Sequence, residues 1–333
     1  MSREKDKLDQ AVRAAWLSWV GGLTQDEIAR EMGVSRQTAQ RLVAQAMAAG
    51  VVKVRIDHPL SECLDLGRQL QDRYALRLAA VTPDAGGRVG VAMQAADLIE
   101  ARLSRPEPTT LAIGTGRMLR SAVAQMRHLD CPQHRIVSLT GNIAIDGSAA
   151  YYNVLFTLSE LVTASSYPLM VPVIAASSEE RQALHRQPGI SRVMKMAEEA
   201  DAAIIGLGDL GPDAPLRVDR FLTQEEIDAL TARGGVGEIL GRPFDREGRL
   251  LSLDGRVASA RLPATDRALV VAVCHGPAKH APIIGALRGG LINGLICDEA
   301  TARWLLAQPA IQRPSDRAAR AQPDPDPPIG KNL

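Results

Sequence analysis

The stretch TQDEIAREMGVSRQTAQRLVAQAMAAG, Thr24 to Gly50, carries two short helical patterns separated by a single glycine. Thr24 and Glu27 have the spacing of a reciprocal capping box. Ile28, Ala29 and Met32 supply the apolar face behind it. Gly33 predicts a break, Val34 fills the bend, and Ser35 predicts the cap of a second helix starting at Arg36. On that second helix Ala39, Leu42, Val43 and Ala46 recur at helical spacing. Arg36, Gln37, Thr38, Gln40 and Arg41 occupy its other face. The pattern predicts a helix-turn-helix whose second helix enters a DNA major groove.

An ordinary helical hairpin with a solvated polar face shares this order of helix, glycine and helix. The chemistry of the polar face separates the two, because Arg and Gln pair bidentately with guanine and adenine edges. From Arg30 to Ile56 the cations Arg30, Arg36, Arg41, Lys53 and Arg55 meet one acid, Glu31. Ser35, Arg36, Gln37, Thr38, Gln40 and Arg41 are therefore the candidate DNA-binding residues, and double-stranded operator DNA is the expected partner.

Working outward, Leu8 to Val20 is amphipathic, with Leu8, Val12, Ala15, Trp16 and Trp19 or Val20 on one side. This stripe predicts the packing face of the first helix of a trihelical head, ended by Gly21-Gly22. After the second motif helix, VVKVRI (Val51 to Ile56) reads as a short strand with Lys53 and Arg55 directed toward phosphates. His58-Pro59 marks a boundary. The helix from Ser61 to Tyr74 carries the stripe Cys63, Leu66, Leu70 and Tyr74, read either as core of the next domain or as part of a dimer contact.

From Leu76 onward apolar runs alternate with helical ones. The strand-like runs are 76–82, 109–114, 135–141, 166–173, 202–208, 267–274 and 291–297. Helical patterns separate most of them, at 89–103, 118–126, 151–163, 191–199 and 279–287. This alternation predicts an α/β domain with a mostly parallel, Rossmann-like sheet covered on both faces. The expected organisation is a DNA-binding head over 1–57, an effector and oligomerisation domain over 58–308, and a disordered Pro/Asp/Arg-rich tail over 309–333.

Whole-chain properties narrow the class. The 333 residues carry a net charge of +1, so attraction to a polyanion is local to the head. Aromatics at 3% disfavour a base-stacking single-strand binder. The four widely spaced cysteines read as buried, reduced thiols. The charged start lacks an apolar signal core and no apolar run of membrane-spanning length follows, so the expected location is cytoplasmic.

Ligands of open α/β sheets bind outside the carboxyl ends of the strands. Those ends carry Gly114-Thr115-Gly116-Arg117, Gly141-Asn142, Gly206-Leu207-Gly208-Asp209 and His275 to Lys279. Lys279 is singled out because Lys195 is the only other lysine between Arg55 and the tail. Glu238 sits in the glycine-rich run Gly234 to Gly241 and reads as a carboxylate held on a tight backbone. In Cys297-Asp298-Glu299 one acid reads as a helix cap. No ordered Ser-His-Asp set, histidine cluster or complete dinucleotide fingerprint is present, so neither catalytic residues, a metal nor a cofactor is expected. A sugar-phosphate isomerase or deaminase carrying an added head is the alternative, with His275, Glu238, Asp298 and Glu299 as its available acid/base groups.

These residues carry a resemblance. The head LTQDEIAREMGVSRQTAQRLV, GTGRML, NVLFTLSEL with Asn153, ADAAIIGLGDLG, GGVGEILGRPFD and ALRGGLINGLICDEATARWLL together resemble the SorC family (SorC/DeoR-type) of transcriptional regulators, from about Leu8 to Leu306. The resemblance implies an effector domain similar to sugar-phosphate isomerases and glucosamine-phosphate deaminases, a tetramer, and a carbohydrate effector that shifts operator binding. It matches Gly114, Thr115, Gly116 and Arg117 to a phosphate-cradling loop and Lys279 to a ligand-binding cation. Glu238 falls where many members place an Asp that contacts sugar hydroxyls. The implied effector set is Gly114, Thr115, Gly116, Arg117, Asn142, Asn153, Gly208, Glu238, His275 and Lys279. The loop and Lys279 favour a phosphosugar. Met118, where a hydroxyl residue is common, and His275, where glycine is common, point instead to an unphosphorylated sugar alcohol.

Overall fold

The computed structural model describes residues 2–49, 51–52, 61–141, 143 and 154–309, with side chains from Lys7 onward. Contacts divide the chain into two compact units, Met1–Pro59 and Leu60–Leu333.

The first unit has three helices: α1 (Ser2–Trp19), α2 (Gln25–Met32) and α3 (Arg36–Ala48). Thr24 and Glu27 close the capping box, the Thr24 amide donating to Glu27 Oε2 at 2.8 Å and the Glu27 amide to Thr24 Oγ1 at 3.4 Å. Gly33 ends α2 in the left-handed region at φ 65°, which glycine adopts without steric cost. Ser35 caps α3 by accepting from the Thr38 amide at 3.2 Å. Ile28, Ala29, Ala39, Leu42, Val43 and Ala46 form the core of the unit.

The first helix packs differently from its sequence pattern. α1 reaches this core through Ala11, Ala14 and Ala15, while Val12, Trp16, Trp19 and Val20 stay exposed, Trp16 at 58%. Close approach of helices selects small side chains at the contact, and the bulky stripe is left outside. Val51 and Val52 are not in a strand, and residues 53–56 of the expected VVKVRI strand lie outside the described residues. So does the expected tail beyond 309.

The second unit begins with α4 (Ser61–Tyr74), β1 (Leu78–Thr82), α5 (Gly87–Leu103), β2 (Thr110–Ile113), α6 (Arg117–Val123) and β3 (Arg135–Ser138). It continues with α7 (Val154–Ser159), β4 (Ser165–Tyr167), α8 (Ser178–His185), α9 (Pro188–Glu198), β5 (Ala202–Ile205) and β6 (Gly208–Asp209). Then come α10 (Pro215–Val218), α11 (Gln224–Ala232), β7 (Gly235–Ile239), β8 (Arg242–Asp245), β9 (Leu269–Val273), α12 (His280–Arg288), β10 (Gly294–Asp298) and α13 (Glu299–Ala307). Each of the seven apolar runs contributes one strand to a parallel sheet of order β1-β10-β9-β5-β2-β3-β4.

Alternate strand residues face opposite layers. Ala112, Val137, Ala203, Ile205, Val270, Ala272 and Leu295 pack against α4, α9, α12 and α13. Leu111, Ile113, Ile136, Ile204, Val271, Val273 and Ile296 pack against α5, α6 and α7. The stripe Cys63, Leu66, Leu70 and Tyr74 belongs to the first of these cores, and the Tyr74 hydroxyl donates to the Leu305 carbonyl at 2.6 Å. It is therefore interior packing and not a dimer contact. An antiparallel sheet of order β6-β7-β8, absent from the sequence reading, stands beside the carboxyl ends of the main strands.

Candidate functional site

After β2 the chain adds β3 and β4 on one side, then returns to place β5 on the other. The strand order reverses between β2 and β5, and a ligand crevice is expected outside their carboxyl ends. A cleft of about 1410 Å³ lies there. The loops after β2 and β5, strand β7, the segment around α10 and the turn before α12 all contribute to its walls.

Of the ten effector residues expected from the sequence, Thr115, Gly116, Arg117, Gly208, Glu238, His275 and Lys279 line this one cleft, although they span 165 positions of chain from Thr115 to Lys279. Gly114 does not line it: its amide extends the sheet by donating to the Ile204 carbonyl at 2.9 Å. Asn142 and Asn153 lie outside the described residues. Met118 is part of the wall.

Lys279 stands in a single turn of 3₁₀ helix between β9 and α12. Its Nζ donates to Asp209 Oδ2 at 2.7 Å, both side chains being about four-fifths buried (22% and 19% exposed). Asp209 also accepts from the Gly211 amide through Oδ1 at 3.3 Å. Across the cleft Arg117 comes within 4.0 Å of Asp219. Burial pushes the Asp219 carboxyl up, against the pull of Arg117. Asp219 is not among the residues expected from sequence, and Asp209 is expected there only as part of the strand-end segment Gly206 to Asp209.

Glu238 sits in the middle of β7, facing β6. The Gly241 amide donates to its Oε2 at 2.8 Å. Its Oε1 lies so close over Gly208 that a Cβ there would stand 2.1 Å away. Gly208 thus makes room for the carboxylate, a close approach that no larger residue permits. Burial raises the Glu238 carboxyl above the usual range, the Gly241 amide and Lys279 oppose this, and Asp209 and Asp219 add to it. The sequence reading of a tight backbone is corrected in one respect: Glu238 is on an extended strand, and the tight turn follows it at Leu240 (φ 54°) and Gly241 (φ 79°).

The remaining candidate acids are structural. Asp298 accepts from the Thr301 amide as the cap of α13 and from the Gly276 amide, each at 2.8 Å. Burial works against its ionisation, but those amides hold its carboxyl below the usual range. Glu299 pairs with Arg303 one turn on, at 2.7 Å. Asn293 ties β9 to the preceding loop, accepting from the Val270 amide and donating to the Thr265 and Ala268 carbonyls. Cys274, on the cleft floor, has its thiol pushed up to about 12 by burial, which leaves it without thiolate character. All four cysteines are free and buried. Among the described residues no group of His, Cys, Asp and Glu could hold a metal ion, and no helix is long and apolar enough to cross a membrane.

On the first unit, Arg36, Gln37, Gln40 and Arg41 are exposed together along α3. Ser35 and Thr38, also expected to touch DNA, hydrogen-bond each other through their hydroxyls at 2.9 Å and fix the start of that helix. Arg36 lies 3.4 Å from Asp26 on α2, an exposed pair that leaves the guanidinium accessible.

Comparison with known proteins agrees with both halves of this description. Residues 58–307 match the sugar-binding domain family, and residues 15–59 match the MarR family. The chain is 34% identical over 306 residues to the erythritol catabolism regulatory protein EryD of Brucella abortus (strain 2308), covering 90% of this chain and 96% of that protein. It is 30% identical to the transcriptional regulator LsrR of Klebsiella pneumoniae, covering 89% and 92%. The crystal structure of the full-length sorbitol operon regulator SorC from Klebsiella pneumoniae superposes with a TM-score of 0.66 at 25% identity, over 90% of this chain and 99% of that one. These relatives are transcriptional regulators, which favours regulation over the isomerase or deaminase alternative. The chain belongs to the SorC family of sugar-responsive transcriptional regulators.

Proposed function

We propose that this protein is a cytoplasmic, homo-oligomeric regulator of a carbohydrate or polyol catabolic operon. A small carbohydrate bound in the cleft between β2 and β5 changes its affinity for operator DNA. The observation that carries this reading is the pairing, on one chain, of an exposed Arg/Gln face on α3 with a large cleft, set with charged side chains, at the strand-order reversal. The names of two relatives, which refer to erythritol catabolism and a sorbitol operon, support an effector from the sugars and sugar alcohols.

Arg36, Gln37, Gln40 and Arg41 read the bases and phosphates, with Ser35 and Thr38 positioning the helix. Thr115, Gly116, Arg117, Gly208, Glu238, His275 and Lys279 line the effector's site, Asn142 and Asn153 complete it, and Gly114 ties the loop after β2 to the sheet without touching the ligand. One head touches few base pairs, so paired heads on half-sites separated by whole helical turns supply specificity, consistent with a tetramer built as a dimer of dimers. Footprinting of the full chain on the DNA upstream of its own gene tests the reading. A protected, two-fold repeated site whose occupancy responds to a sugar supports it. Turnover of a sugar phosphate with no protected site overturns it.

A further inference from the structure

The cleft's charged groups form a pattern that bears on the kind of molecule it takes. Inside it, two cations, Lys279 and Arg117, face three carboxylates, Asp209, Asp219 and Glu238. Lys279 is held by Asp209 at 2.7 Å, and Arg117 stands 4.0 Å from Asp219. The third carboxylate, Glu238, accepts from the Gly241 amide through Oε2, and its Oε1 lies in the room left by the missing side chain of Gly208. Arg88, Asp213 and Arg220, exposed as Arg117 is, line the same cleft, so its whole wall carries four cations and four carboxylates.

A phosphate ester entering here would have to share Lys279 with Asp209 and Arg117 with Asp219. It would also bring up to two negative charges beside those carboxylates. Like charges brought onto the same cation oppose one another. The helix that would cradle the phosphate, α6, is only seven residues long. A neutral polyol meets no such opposition. An ionised carboxylate only accepts hydrogen bonds and has about four lone-pair positions, so each acid here retains acceptor capacity for hydroxyl donors after its present bonds. Selectivity built on repulsion of the wrong ligand needs only that these acids stay where they are.

Resting on the reading of this cleft as the effector site, we infer that it takes an unphosphorylated polyhydroxylated ligand, an alditol or free sugar. Asp209, Asp219 and Glu238 accept its hydroxyls, while the Lys279–Asp209 pair excludes the phosphate ester. Asp209 and Asp219 are thereby specificity-determining residues, and Lys279 holds an acid in place.

Isothermal titration calorimetry of the full chain decides this. The probes are linear alditols and aldoses of four to six carbons, each beside its terminal phosphate ester, with inorganic phosphate as a third arm. The expected result is binding of at least one unphosphorylated compound, at least about tenfold weaker binding of its ester, and no heat from inorganic phosphate. In Asp209→Asn, where Lys279 loses its carboxylate, the gap between the pair narrows; Asp219→Asn makes the same test from the Arg117 side. An ester that binds wild type more tightly than its parent overturns the inference while leaving the carbohydrate reading standing. An unchanged ratio in both variants overturns the role given to the two acids. No binding in any arm overturns both the inference and the reading it rests on.

Discussion

The polar face of α3 and the wall of the effector cleft use the same residue types to opposite ends. On α3 the guanidinium of Arg41 is exposed with no carboxylate partner among the described residues, and Arg36 shares only a solvent-exposed pair with Asp26. In the cleft Lys279 is four-fifths buried against Asp209, and the four cations of the lining are matched by four carboxylates. Cations left open to solvent can exchange counterions for DNA phosphates, which gives binding that falls steeply with salt. Cations already answered by acids cannot do this, and the groups around them serve as hydrogen-bonding points for a small, neutral molecule. The lesson is that a positive residue near a glycine loop is no guide to ligand charge until its partner is known.

The largest effect expected of this contrast is on base reading. Gln37→Ala with Gln40→Ala removes two side chains able to pair with base edges, each contributing about 1–3 kcal/mol of discrimination. Anisotropy on the operator and on single-base variants should show loss of preference at two positions. Unchanged affinity and preference would remove α3 from its role.

Removing a cation from each region should then give opposite phenotypes. Lys279→Ala leaves Asp209 partly buried without its cation, so the melting transition should fall, corresponding to about 1–3 kcal/mol, while operator binding without effector persists. Arg41→Ala should leave stability within about 0.5 kcal/mol but weaken DNA binding, lowering the salt slope by about one if it contacts a phosphate. Equal effects of both changes on stability would erase the contrast.

A smaller effect comes from the cap that sets the angle of α2. Thr24→Ala breaks the reciprocal bonds with Glu27 and should cost about 1 kcal/mol, seen as earlier melting of the head. The smallest is a pH effect. The folded state holds the Glu238 carboxyl above its unfolded value, so it binds that proton more readily than the unfolded chain does. Stability from this group is therefore gained as pH falls through the raised value and absent at neutral pH. Glu238→Gln should be the more stable protein at neutral pH and lose that advantage on acidification, as thermal melts across the range would show.

Much of this was legible in the sequence, for identifiable reasons. Thr24, Glu27, Gly33 and Ser35 act within a few residues of themselves, so their spacing states their structure. The inner strands β5, β9 and β10 are buried throughout and read as continuous apolar runs. The small sheet was not legible, because GGVGEILG has the composition of a loop and becomes strand β7 only by pairing with Gly208-Asp209 and with β8. The packing face of α1 is only partly legible: Ala15 of the expected stripe makes the contact with Ala11 and Ala14, while Trp16 and Trp19, which dominate the hydrophobic pattern, stay outside. In the cleft, Lys279 stood out by rarity, but its partner Asp209 is 70 residues away, and no spacing rule joins them. A still longer separation along the chain hid Asp219 from Arg117.

The central claim is that one chain couples operator DNA to a carbohydrate, and coupling between two ligands is reciprocal. Calorimetric titration of the full chain with its sugar ligand, alone and saturated with operator, tests this most directly. The account predicts that the sugar's dissociation constant changes by about five- to 150-fold, and that the operator's constant changes by the same factor when the sugar is present. Identical sugar affinities with and without operator would contradict it.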